Sequence, residues 1–383
     1  MKKIKILYLH SGAELYGADQ ILLTTVCNLN KEKFEPIVLL PNKGPLVNKL
    51  KEKNIRVEIM HYPIIRRKYF NIKGIVYFLH NFFRDSKNIC TFVKAENITI
   101  VHNNTIAVLE GIYVKRKTKV KLVTHVHEMI DHPKIVAKIL YTLHLKNCDK
   151  MVVVSHAVKN HIEKLLKIKR EKIVVINNGI EQIKFKNKKD YRKEFNIPHD
   201  SKVVAVIGRI NSIKGQDHFI NAMEKVVEKN NNVYGLIIGD AFENQEWRVQ
   251  QLKELIIKKN LHNRIIYCGF RNDVNEIYQI IDALVLPSIQ NDSFPTVVLE
   301  AMSCGIPTIA YKCGGVEEMI NDGVNGYLVE QGNYYDLADK ILKSINSIKS
   351  KESVIKIFDN NYNIKLYTEK LEKEYIDLGD DND

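Results

Sequence analysis

The chain has 383 residues, of which 45% are hydrophobic and 27% are charged. This length allows two domains with full cores, and the composition argues against disordered, fibrous and membrane-spanning classes. The formal net charge of +13 is unevenly divided, because residues 1–180 carry +18 and residues 181–383 carry −5. The excess positive charge indicates an N-terminal half that faces an anionic membrane, substrate or nucleic acid. The alternative is that these lysines only form a solvated protein surface.

The N-terminus and the cysteines bear on the compartment. The first apolar run is interrupted by Lys5 and stops at His10, whereas a secretory core needs about 7–15 apolar residues. No stretch approaches the roughly 18–20 apolar residues of a membrane span. The six cysteines include no Cys-x-x-Cys pair, which favours buried thiols over disulfides or a zinc site. We therefore expect a cytoplasmic chain.

Short β-rich runs alternate with helical stretches, a pattern typical of parallel sheets flanked by helices. Strands are predicted first at Ile4–Leu9, Pro36–Leu40, Arg56–Ile59, Thr99–His102, Lys121–His125, Met151–Val154 and Ile173–Ile176. After Gly179 they resume at Lys202–Ile207, Val233–Ile238, Arg264–Cys268, Ala283–Leu286 and Thr308–Ala310. We expect domains at residues 1–180 and 181–383, with the last helices as candidates to pack back on the first domain. The loops after the strands should carry the chemistry.

The first such loop runs from His10 to Asp19 and opens a helix. Gly17 would let the backbone approach a phosphate closely, although a plain tight turn explains the same residues. No Gly-x-Gly-x-x-Gly is present, which disfavours dinucleotide oxidoreductases.

A basic and aromatic segment follows at Arg66-Arg67-Lys68 and the helical stretch 72–93. Helical spacing predicts a core stripe of Ile72, Ile75, Val76, Leu79, Phe83, Cys90 and Val93. The aromatics that fall beside this stripe, among further basic residues, are Tyr77, Phe78 and Phe82. Such a mixture is typical of a helix at lipid headgroups, and a buried helix with spare aromatics is the alternative. Nucleic acid is not expected, because no recognised binding motif accompanies the charge.

Metal-capable side chains cluster between Thr124 and His132. His125 and His127 would share one face of a strand, as metal ligands do. The spacing from His127 to Asp131 and His132 does not fit the compact ligand arrangement of dinuclear hydrolases. We therefore expect no metal site.

Two segments of the second half place charges after buried strands. Arg209 and Lys214 follow the strand at 202–207 and are suited to converge on one diphosphate. A Walker A loop is excluded, because the Gly-Lys-Ser/Thr order is absent. Farther on, Pro295 is predicted at the first position of a helix, whose N-terminus would favour an anion. Asp292 and Glu300 flank that point, and carboxylates are suited to bind the hydroxyls of a sugar and a ribose.

The segment from Leu286 to Ile320 resembles the donor site of the large family-4 group of retaining glycosyltransferases. The resemblance lies in two acids separated by seven residues, followed by Ala-Met and a Gly-x-Pro turn. The chain departs in having Asp292 where many members have Glu, and Ser293-Phe-Pro in place of Gly-Phe-Gly. Asp is one methylene shorter, so contacts to the transferred sugar are expected to differ.

Other segments resemble the same family. Gly208-Arg209 with Lys214-Gly215 resembles its Gly-Arg, short loop, Lys-Gly motif, and the Gly17 loop resembles its N-terminal glycine loop. His127-Glu128 resembles its histidine beside the reacting sugar, and residues 268–271 lie where relatives hold the nucleobase. The resemblance spans most of the chain from Gly12 to about Gly326.

The resemblance implies the GT-B architecture: two doubly wound Rossmann-like α/β domains facing a central crevice. It implies a retaining hexosyltransferase that takes sugar from a nucleotide-sugar donor, with a UDP-sugar the first choice, and makes surface polysaccharide or glycolipid. The implied acceptor is a glycan or lipid-linked sugar, and cationic side chains would replace the metal ion, so no cofactor is expected. The implied catalytic residues are His127, Arg209, Lys214 and Asp292. The implied donor-binding residues are Gly17, Arg209, Lys214, Phe270, Arg271, Asp292, Phe294, Pro295, Thr296 and Glu300.

Two alternatives stay open at this point. A nucleotide-sugar epimerase of similar architecture would use the same donor site. A non-catalytic basic protein that binds membrane or nucleic acid would explain the charge but not the clustered strand-end residues. The terminal Asp381-Asn-Asp383 superficially resembles a metal-binding Asp-x-Asp, and a flexible acidic end is the simpler interpretation. If a lipid carries the acceptor, we expect peripheral binding to the inner face of the membrane.

Overall fold

The computed structural model describes residues 3–66, 69–168, 171–186, 189–346 and 350–380. The chain folds as two compact units. Unit 1 comprises residues 1–179 and 364–383, and unit 2 comprises residues 180–363.

Unit 1 is built on a parallel sheet. In its described residues the strands are β1 (Ile4–Leu9), β2 (Phe34–Leu40), β3 (Arg56–Ile59), β4 (Ile100–Asn103), β5 (Lys121–Val126), β6 (Lys150–Val153) and β7 (Ile173–Val175). They lie in the order β3-β2-β1-β4-β5-β6-β7. Residues 6–9 of β1 are fully buried, because helices cover both faces of such a sheet and its central strands are apolar throughout.

Helices connect these strands. Those of residues 17–166 are α1 (Gly17–Asn28), α2 (Pro45–Glu52), α3 (Ile72–Ala95), α4 (Glu110–Thr118), α5 (Lys134–Asn147) and α6 (His156–Leu166). Asn71 caps α3 and Ser155 caps α6, since each side chain accepts a backbone N–H of the first turn.

Unit 2 repeats the plan. Its described strands are β8 (Lys202–Ile207), β9 (Val233–Ile238), β10 (Ile265–Gly269), β11 (Ala283–Leu286), β12 (Thr308–Tyr311) and β13 (Gly326–Val329), in the order β10-β9-β8-β11-β12-β13. Its helices are α7 (Tyr191–Glu194), α8 (Gln216–Lys229), α9 (Trp247–Lys258), α10 (Val274–Ile277), α11 (Thr296–Ser303), α12 (Tyr334–Asn346) and α13 (Lys351–Asn361). Val206, Phe219 and Ile237 belong to one buried apolar cluster formed by strand and helix residues of this unit.

The strand order of each sheet reverses beside its first strand. In unit 1 the reversal lies between β1 and β4, and in unit 2 it lies between β8 and β11. Ligands of open α/β sheets bind outside the carboxyl ends of strands at such points. The loops after these four strands are therefore the places to look for a site.

The last helix, α14 (Ile364–Asp380), belongs to unit 1. The hydroxyl of Tyr375 lies 2.9 Å from that of Tyr8 and 2.8 Å from Nδ1 of His102, and all three side chains are buried. The hydroxyl of Tyr367 lies 3.0 Å from that of Thr25 on α1. The final 17-residue helix is thus fixed to the first strand and helix of the chain.

The predicted fold class is confirmed, because both units are Rossmann-like α/β folds with parallel sheets. Each predicted strand overlaps an observed one. The strands expected at Thr99–His102 and Arg264–Cys268 lie one residue later, and the strand expected at Met151–Val154 lies one residue earlier. The strand Gly326–Val329 was not predicted. It is short and directly follows Gly323-Val-Asn, residues that are typical of a turn.

The predicted core stripe on α3 is wrong for its first half. Ile72 is 83% exposed and Val76 is 62% exposed, and the other exposed members are Ile75, Leu79 and Phe83. Cys90 and Val93 are buried as expected. Helical spacing identifies an apolar face but not whether another element covers it. Among the described residues, no helix combines the length and apolar character of a membrane span.

Candidate active site

The carboxyl-end loops of unit 2 are joined by backbone hydrogen bonds. The N–H of Ile289, after β11, donates to the carbonyl of Ile213, after β8, at 2.8 Å. Gly215 has φ +66°, and a Cβ there would lie 2.0 Å from the carbonyl oxygen of Pro287. Only glycine fits this approach, because an L side chain would be strained by the φ and would also clash. The two loops are therefore held in contact.

This contact brings together two predicted site residues. Nζ of Lys214 lies 2.5 Å from Oδ2 of Asp292, and both side chains are partly exposed. The carbonyl of Asp292 also accepts the N–H of Gly315 at 2.8 Å. The predicted diphosphate ligand Lys214 and the predicted sugar ligand Asp292 thus form one ion pair.

Arg209 packs on an aromatic side chain that the sequence did not point to. Its guanidinium carbon lies 3.5 Å from the ring centroid of Phe242, in the loop after β9. The buried side chain of Gln216 donates to the carbonyl of Arg209 at 2.9 Å. Stacking on an aromatic face orients a guanidinium while leaving its in-plane N–H groups for hydrogen bonds.

Helix α11 begins one residue later than predicted, since Pro295 is its N-cap and Thr296 its first residue. Glu300 lies in the second turn, and its Oε2 accepts a hydrogen bond from Tyr278 at 2.9 Å. Burial raises the pKa of Glu300, and hydrogen bonds from Tyr278 and Thr296 oppose that rise. Phe294 is buried against Tyr362, with ring centroids 5.7 Å apart, so only its backbone is suited to contact a ligand.

The two remaining donor candidates of unit 2 differ from each other. Phe270, after β10, is 67% exposed. The guanidinium of Arg271 is bound by Asp273 at 2.7 Å and Glu194 at 2.9 Å. The side chain of Arg271 is therefore committed to protein carboxylates, and a ligand here would meet the ring of Phe270 or the loop backbone.

In unit 1, Gly17 is the first residue of α1 and is exposed. Asp19, in the first turn, accepts the N–H of Tyr16 at 2.9 Å. Its other oxygen lies 2.7 Å from Nε2 of His10, the residue that follows β1. The carboxylate suits this helix N-terminus, where the helix dipole favours negative charge.

His127 lies just after β5 and is partly exposed. Its ring packs against that of His125, tilted by 31° with the centroids 4.1 Å apart, and its Nε2 lies 3.3 Å from Oδ1 of Asn104. Burial lowers the pKa of His127 to about 3, and His10 lowers it further, so the imidazole is neutral at physiological pH. Glu128 accepts a hydrogen bond from Thr105, and burial raises the pKa of its carboxyl group.

No three His, Cys, Asp or Glu side chains in the described part of the chain are grouped to hold a metal ion. His125 is buried, and neither of its ring nitrogens has a hydrogen-bond partner. The tail Asp381-Asn-Asp383 lies outside the described residues.

Sequence reasoning missed Asn104, Phe242 and Tyr278. Asn104 follows His102-Asn103 at a strand end, and this polar run was the signal that could have identified it. Phe242 and Tyr278 gave no such signal, because their partners Arg209 and Glu300 are 33 and 22 residues away in the sequence.

Two Rossmann-like units with charged and polar side chains at their strand-end loops define the GT-B class. The family model "Glycosyltransferase Family 4" matches residues 17–182, and the model "Glycosyl transferases group 1" matches residues 187–358. The chain belongs to this family of glycosyltransferases.

Individual relatives cover different shares of the chain. The UDP-Gal:alpha-D-GlcNAc-diphosphoundecaprenol alpha-1,3-galactosyltransferase of Escherichia coli is 25% identical over 98% of this chain and 97% of its own. An uncharacterized glycosyltransferase of Methanocaldococcus jannaschii is 24% identical over 65% of this chain, and the aligned part covers 64% of that relative's length. The structure is similar to Anabaena HepE in complex with UDP, with a TM-score of 0.84, 21% identity and coverage of 97% and 100%. It is also similar to a glycosyltransferase from Rickettsia africae, with a TM-score of 0.84, 24% identity and 99% coverage of both chains.

Proposed function

We propose that the protein transfers a hexose from a nucleoside diphosphate sugar to a glycan or lipid-linked acceptor, with retention of anomeric configuration and without a metal ion. The observation that carries this proposal is the ion pair of Lys214 and Asp292 at the joined loops after β8 and β11. It places a cation for a diphosphate next to a carboxylate for sugar hydroxyls. A UDP-sugar is the first choice of donor, because the E. coli relative is named for one.

The reaction needs stabilisation of the charge that develops on the departing diphosphate. Arg209, oriented by Phe242, and Lys214 would supply positive charge, and the backbone N–H groups at the start of α11 would add donors near Pro295 and Thr296. Positive side chains take the part that a divalent ion has in other glycosyltransferases. Retention follows if the acceptor hydroxyl attacks on the face from which the nucleotide leaves.

The other proposed contacts to the donor are assigned from where each candidate residue lies in the fold. Asp292 would bind the transferred sugar and Glu300 the ribose, since carboxylates accept hydrogen bonds from two hydroxyls. The exposed ring of Phe270 would lie against the base, and residues 271 and 294 would contribute backbone. In unit 1, Gly17 would approach the diphosphate and His127 the transferred sugar.

A lipid-linked acceptor is supported by a cavity of about 180 Å³ in unit 1. Its lining is mainly apolar, and the apolar members include Ile65, Phe70, Ile106, Ile130, Val136 and Leu140. Two charged side chains, Arg66 and Glu128, also line it. Such a cavity suits an apolar chain whose phosphate meets Arg66 and whose sugar hydroxyl meets Glu128.

The exposed apolar residues of α3 support docking on an anionic membrane. Ile72, Ile75 and Val76 are exposed, and Arg66 precedes them in the sequence. Two other cations of the segment, Arg67 and Lys68, lie outside the described residues. An apolar helix face flanked by basic residues binds at the headgroup level. We propose a peripheral position on the cytoplasmic face of a membrane.

The donor is tested by thermal shift and UDP release with UDP-glucose, UDP-galactose and UDP-N-acetylglucosamine. We expect at least one to bind and to be turned over, and Arg209→Ala to lower turnover at least tenfold, since loss of one such contact costs roughly 2–4 kcal/mol in the transition state. Activity should survive EDTA. Abolition by EDTA with rescue by a divalent ion would contradict the metal-independent mechanism, and equal turnover in Arg209→Ala would remove that residue from it.

Membrane docking is tested by cosedimentation with anionic and neutral liposomes. We expect salt-sensitive binding to anionic liposomes only, weakened by changing Arg66, Arg67 and Lys68 to Glu, since each basic residue near the surface contributes about 1 kcal/mol. Changing Ile72 and Val76 to Ser should weaken binding further. Reversing three exposed lysines elsewhere, Lys49, Lys51 and Lys53, is the matched control. Equal binding to both liposome types, or to neither, would contradict docking and leave the transferase proposal intact.

A further inference from the structure

Four polar side chains form a continuous hydrogen-bonded chain at the carboxyl edge of the sheet of unit 1. Nε2 of His10 lies 2.7 Å from Oδ1 of Asp19, and Nδ1 of His10 lies 3.1 Å from Nδ2 of Asn104. Oδ1 of Asn104 lies 3.3 Å from Nε2 of His127. Asp19, His10 and Asn104 are each more than nine-tenths buried, whereas His127 is partly exposed.

The fold fixes the members of this chain independently of one another. His10, Asn104 and His127 follow the adjacent strands β1, β4 and β5. The backbone N–H of His10 donates to the hydroxyl of Tyr62, which donates to the carbonyl of His10. The N–H of Asn104 donates to the carbonyl of Leu9 at 2.9 Å. The side chains therefore meet without needing a ligand to order them.

The orientation of the Asn104 amide fixes the hydrogen-bond directions on either side of it. An amide nitrogen only donates, so Nδ1 of His10 accepts from Nδ2 of Asn104 and Nε2 of His10 carries the proton that faces Asp19. The Asn104 oxygen faces Nε2 of His127. His127 must then donate from Nε2. In a neutral imidazole one nitrogen donates and the other accepts, so Nδ1 of His127 keeps its lone pair.

We infer that Asp19, His10 and Asn104 are positioning residues that hold His127 in its Nε2–H tautomer, so that its Nδ1 accepts a hydrogen bond from a hydroxyl of the transferred sugar. The inference rests on the proposed function, which places His127 beside that sugar. Fixing the tautomer in advance removes the need to select it when substrate binds, and so favours the reactive geometry.

The first measurement reads the tautomer directly and needs no substrate. Long-range proton–nitrogen NMR spectra of the full chain, labelled with nitrogen-15 histidine, report which ring nitrogen carries the proton. The His127→Gln variant assigns the signal. We expect the Nε2–H form in the parent. We expect a mixture of tautomers in Asn104→Leu, which removes the acceptor with little change of size, and in Asp19→Asn, whose amide either donates or accepts. Asn48→Leu, at an exposed position on α2, should leave the signal unchanged.

The second measurement is UDP release from UDP-glucose, UDP-galactose and UDP-N-acetylglucosamine. We expect Asn104→Leu and Asp19→Asn to lower kcat about fivefold or more, the factor for one net hydrogen bond of about 1 kcal/mol. Donor KM and the affinity for UDP should stay within about twofold of the parent, because a uniform loss of binding would change KM instead. A merely structural role would lower activity in proportion to the folded fraction and leave the tautomer of the folded protein unchanged.

The outcomes separate the inference from the function on which it rests. A parent His127 in the Nδ1–H form, or an unchanged signal in both variants, overturns the inference. A changed tautomer with unchanged kcat in an active enzyme also overturns it. If the parent turns over none of the three donors, the proposed function fails and the sugar contact fails with it, while the NMR spectra still decide whether the three residues fix the tautomer.

Discussion

Lys214 shows how one residue serves two partners in turn. In the structure it donates to Asp292, and in the proposed complex it would bind the diphosphate. The ion pair holds the ammonium group at the joined loops after β8 and β11, and a diphosphate must compete with Asp292 for it. An ion pair at a partly exposed position contributes about 0–1 kcal/mol. A dianionic ligand therefore displaces Asp292 from Lys214 at little cost in free energy.

This competition predicts opposite effects for two substitutions. Asp292→Asn should bind UDP as tightly as the parent or up to about fivefold more tightly, because Lys214 is released from an ion pair worth at most about 1 kcal/mol. Its turnover should fall, because the sugar ligand is lost. Lys214→Ala should bind UDP more weakly. Calorimetry with UDP measures the first effect, and weaker binding in Asp292→Asn would contradict the competition.

Glu110 is a second residue whose state depends on its surroundings. It is the first residue of α4, its side chain is fully buried, and in the described part of the chain no other side chain is hydrogen-bonded to its carboxyl oxygens. Burial raises its pKa to about 8. The folded protein therefore binds a proton at pH 5–8 that the unfolded chain releases.

The raised pKa of Glu110 makes the unfolding free energy fall as pH rises. The stabilising contribution of Glu110 is complete below its unfolded pKa of about 4.5 and is lost as pH rises toward 8, at about 1.4 kcal/mol per pH unit. Glu110→Gln removes this dependence. The unfolding free energy of the variant minus that of the parent should therefore increase from pH 5 to pH 8, as measured by urea denaturation. Glu52→Gln, at an exposed position, should run parallel to the parent, and a parallel Glu110→Gln profile would refute the buried protonated carboxyl.

At the scale of the elements, the donor site depends on how closely two loops approach. Gly215 at the start of α8 allows the contact with Pro287, and Gly269, the last residue of β10, provides a comparison. The two have φ of +66° and +64°, but a Cβ at Gly269 would meet nothing within 4 Å. Substitutions at these two glycines therefore distinguish the cost of backbone strain, which both share, from the cost of the close contact, which only Gly215 has.

We expect Gly269→Ala to lower the unfolding free energy by about 1 kcal/mol, the cost of a left-handed residue with a side chain. Gly215→Ala should cost more and also weaken UDP binding, because the loop that carries Lys214 must move away from Pro287. Chemical denaturation and calorimetry measure the two effects. Equal costs for both variants would show that the contact adds nothing to the strain.

The sequence predicted the elements better than it predicted their contacts. Strands such as β8 and β9 were predicted because a buried parallel strand is an unbroken apolar run. The charged residues after them were predicted because strand ends carry function. The pairing of Lys214 with Asp292, 78 residues apart, depends on which strands are neighbours, and no local pattern records that. Asn104 ends a local polar run, but its role depends on His10 and His127, which follow two other strands.

The whole molecule is two units, and the chain enters unit 1 twice. The buried hydroxyl of Tyr375 on α14 links Tyr8 on β1 with His102 on β4. Unit 1 therefore requires both ends of the described chain, whereas unit 2 is continuous in sequence.

We expect Tyr375→Phe to destabilise unit 1 by about 1–3 kcal/mol, because it leaves buried polar atoms of Tyr8 and His102 without a partner. Hydrogen exchange should become faster in β1 and β4 and stay unchanged in β8–β13. Tyr77→Phe, at an exposed position on α3, is the control. Faster exchange in both units would show that they unfold together.

The return of the chain to unit 1 also sets an order of events during translation. The strands of unit 1 leave the ribosome first, yet their sheet lacks its last helix until residues 364–380 have emerged. Unit 2 is synthesised between the two segments of unit 1, so all of its residues have been made before unit 1 is complete. The domain that is made first is thus completed last, and until then Tyr8 and His102 lack the hydroxyl that joins them. A nascent chain stalled before residue 364 would expose this surface of the sheet to chaperones and proteases.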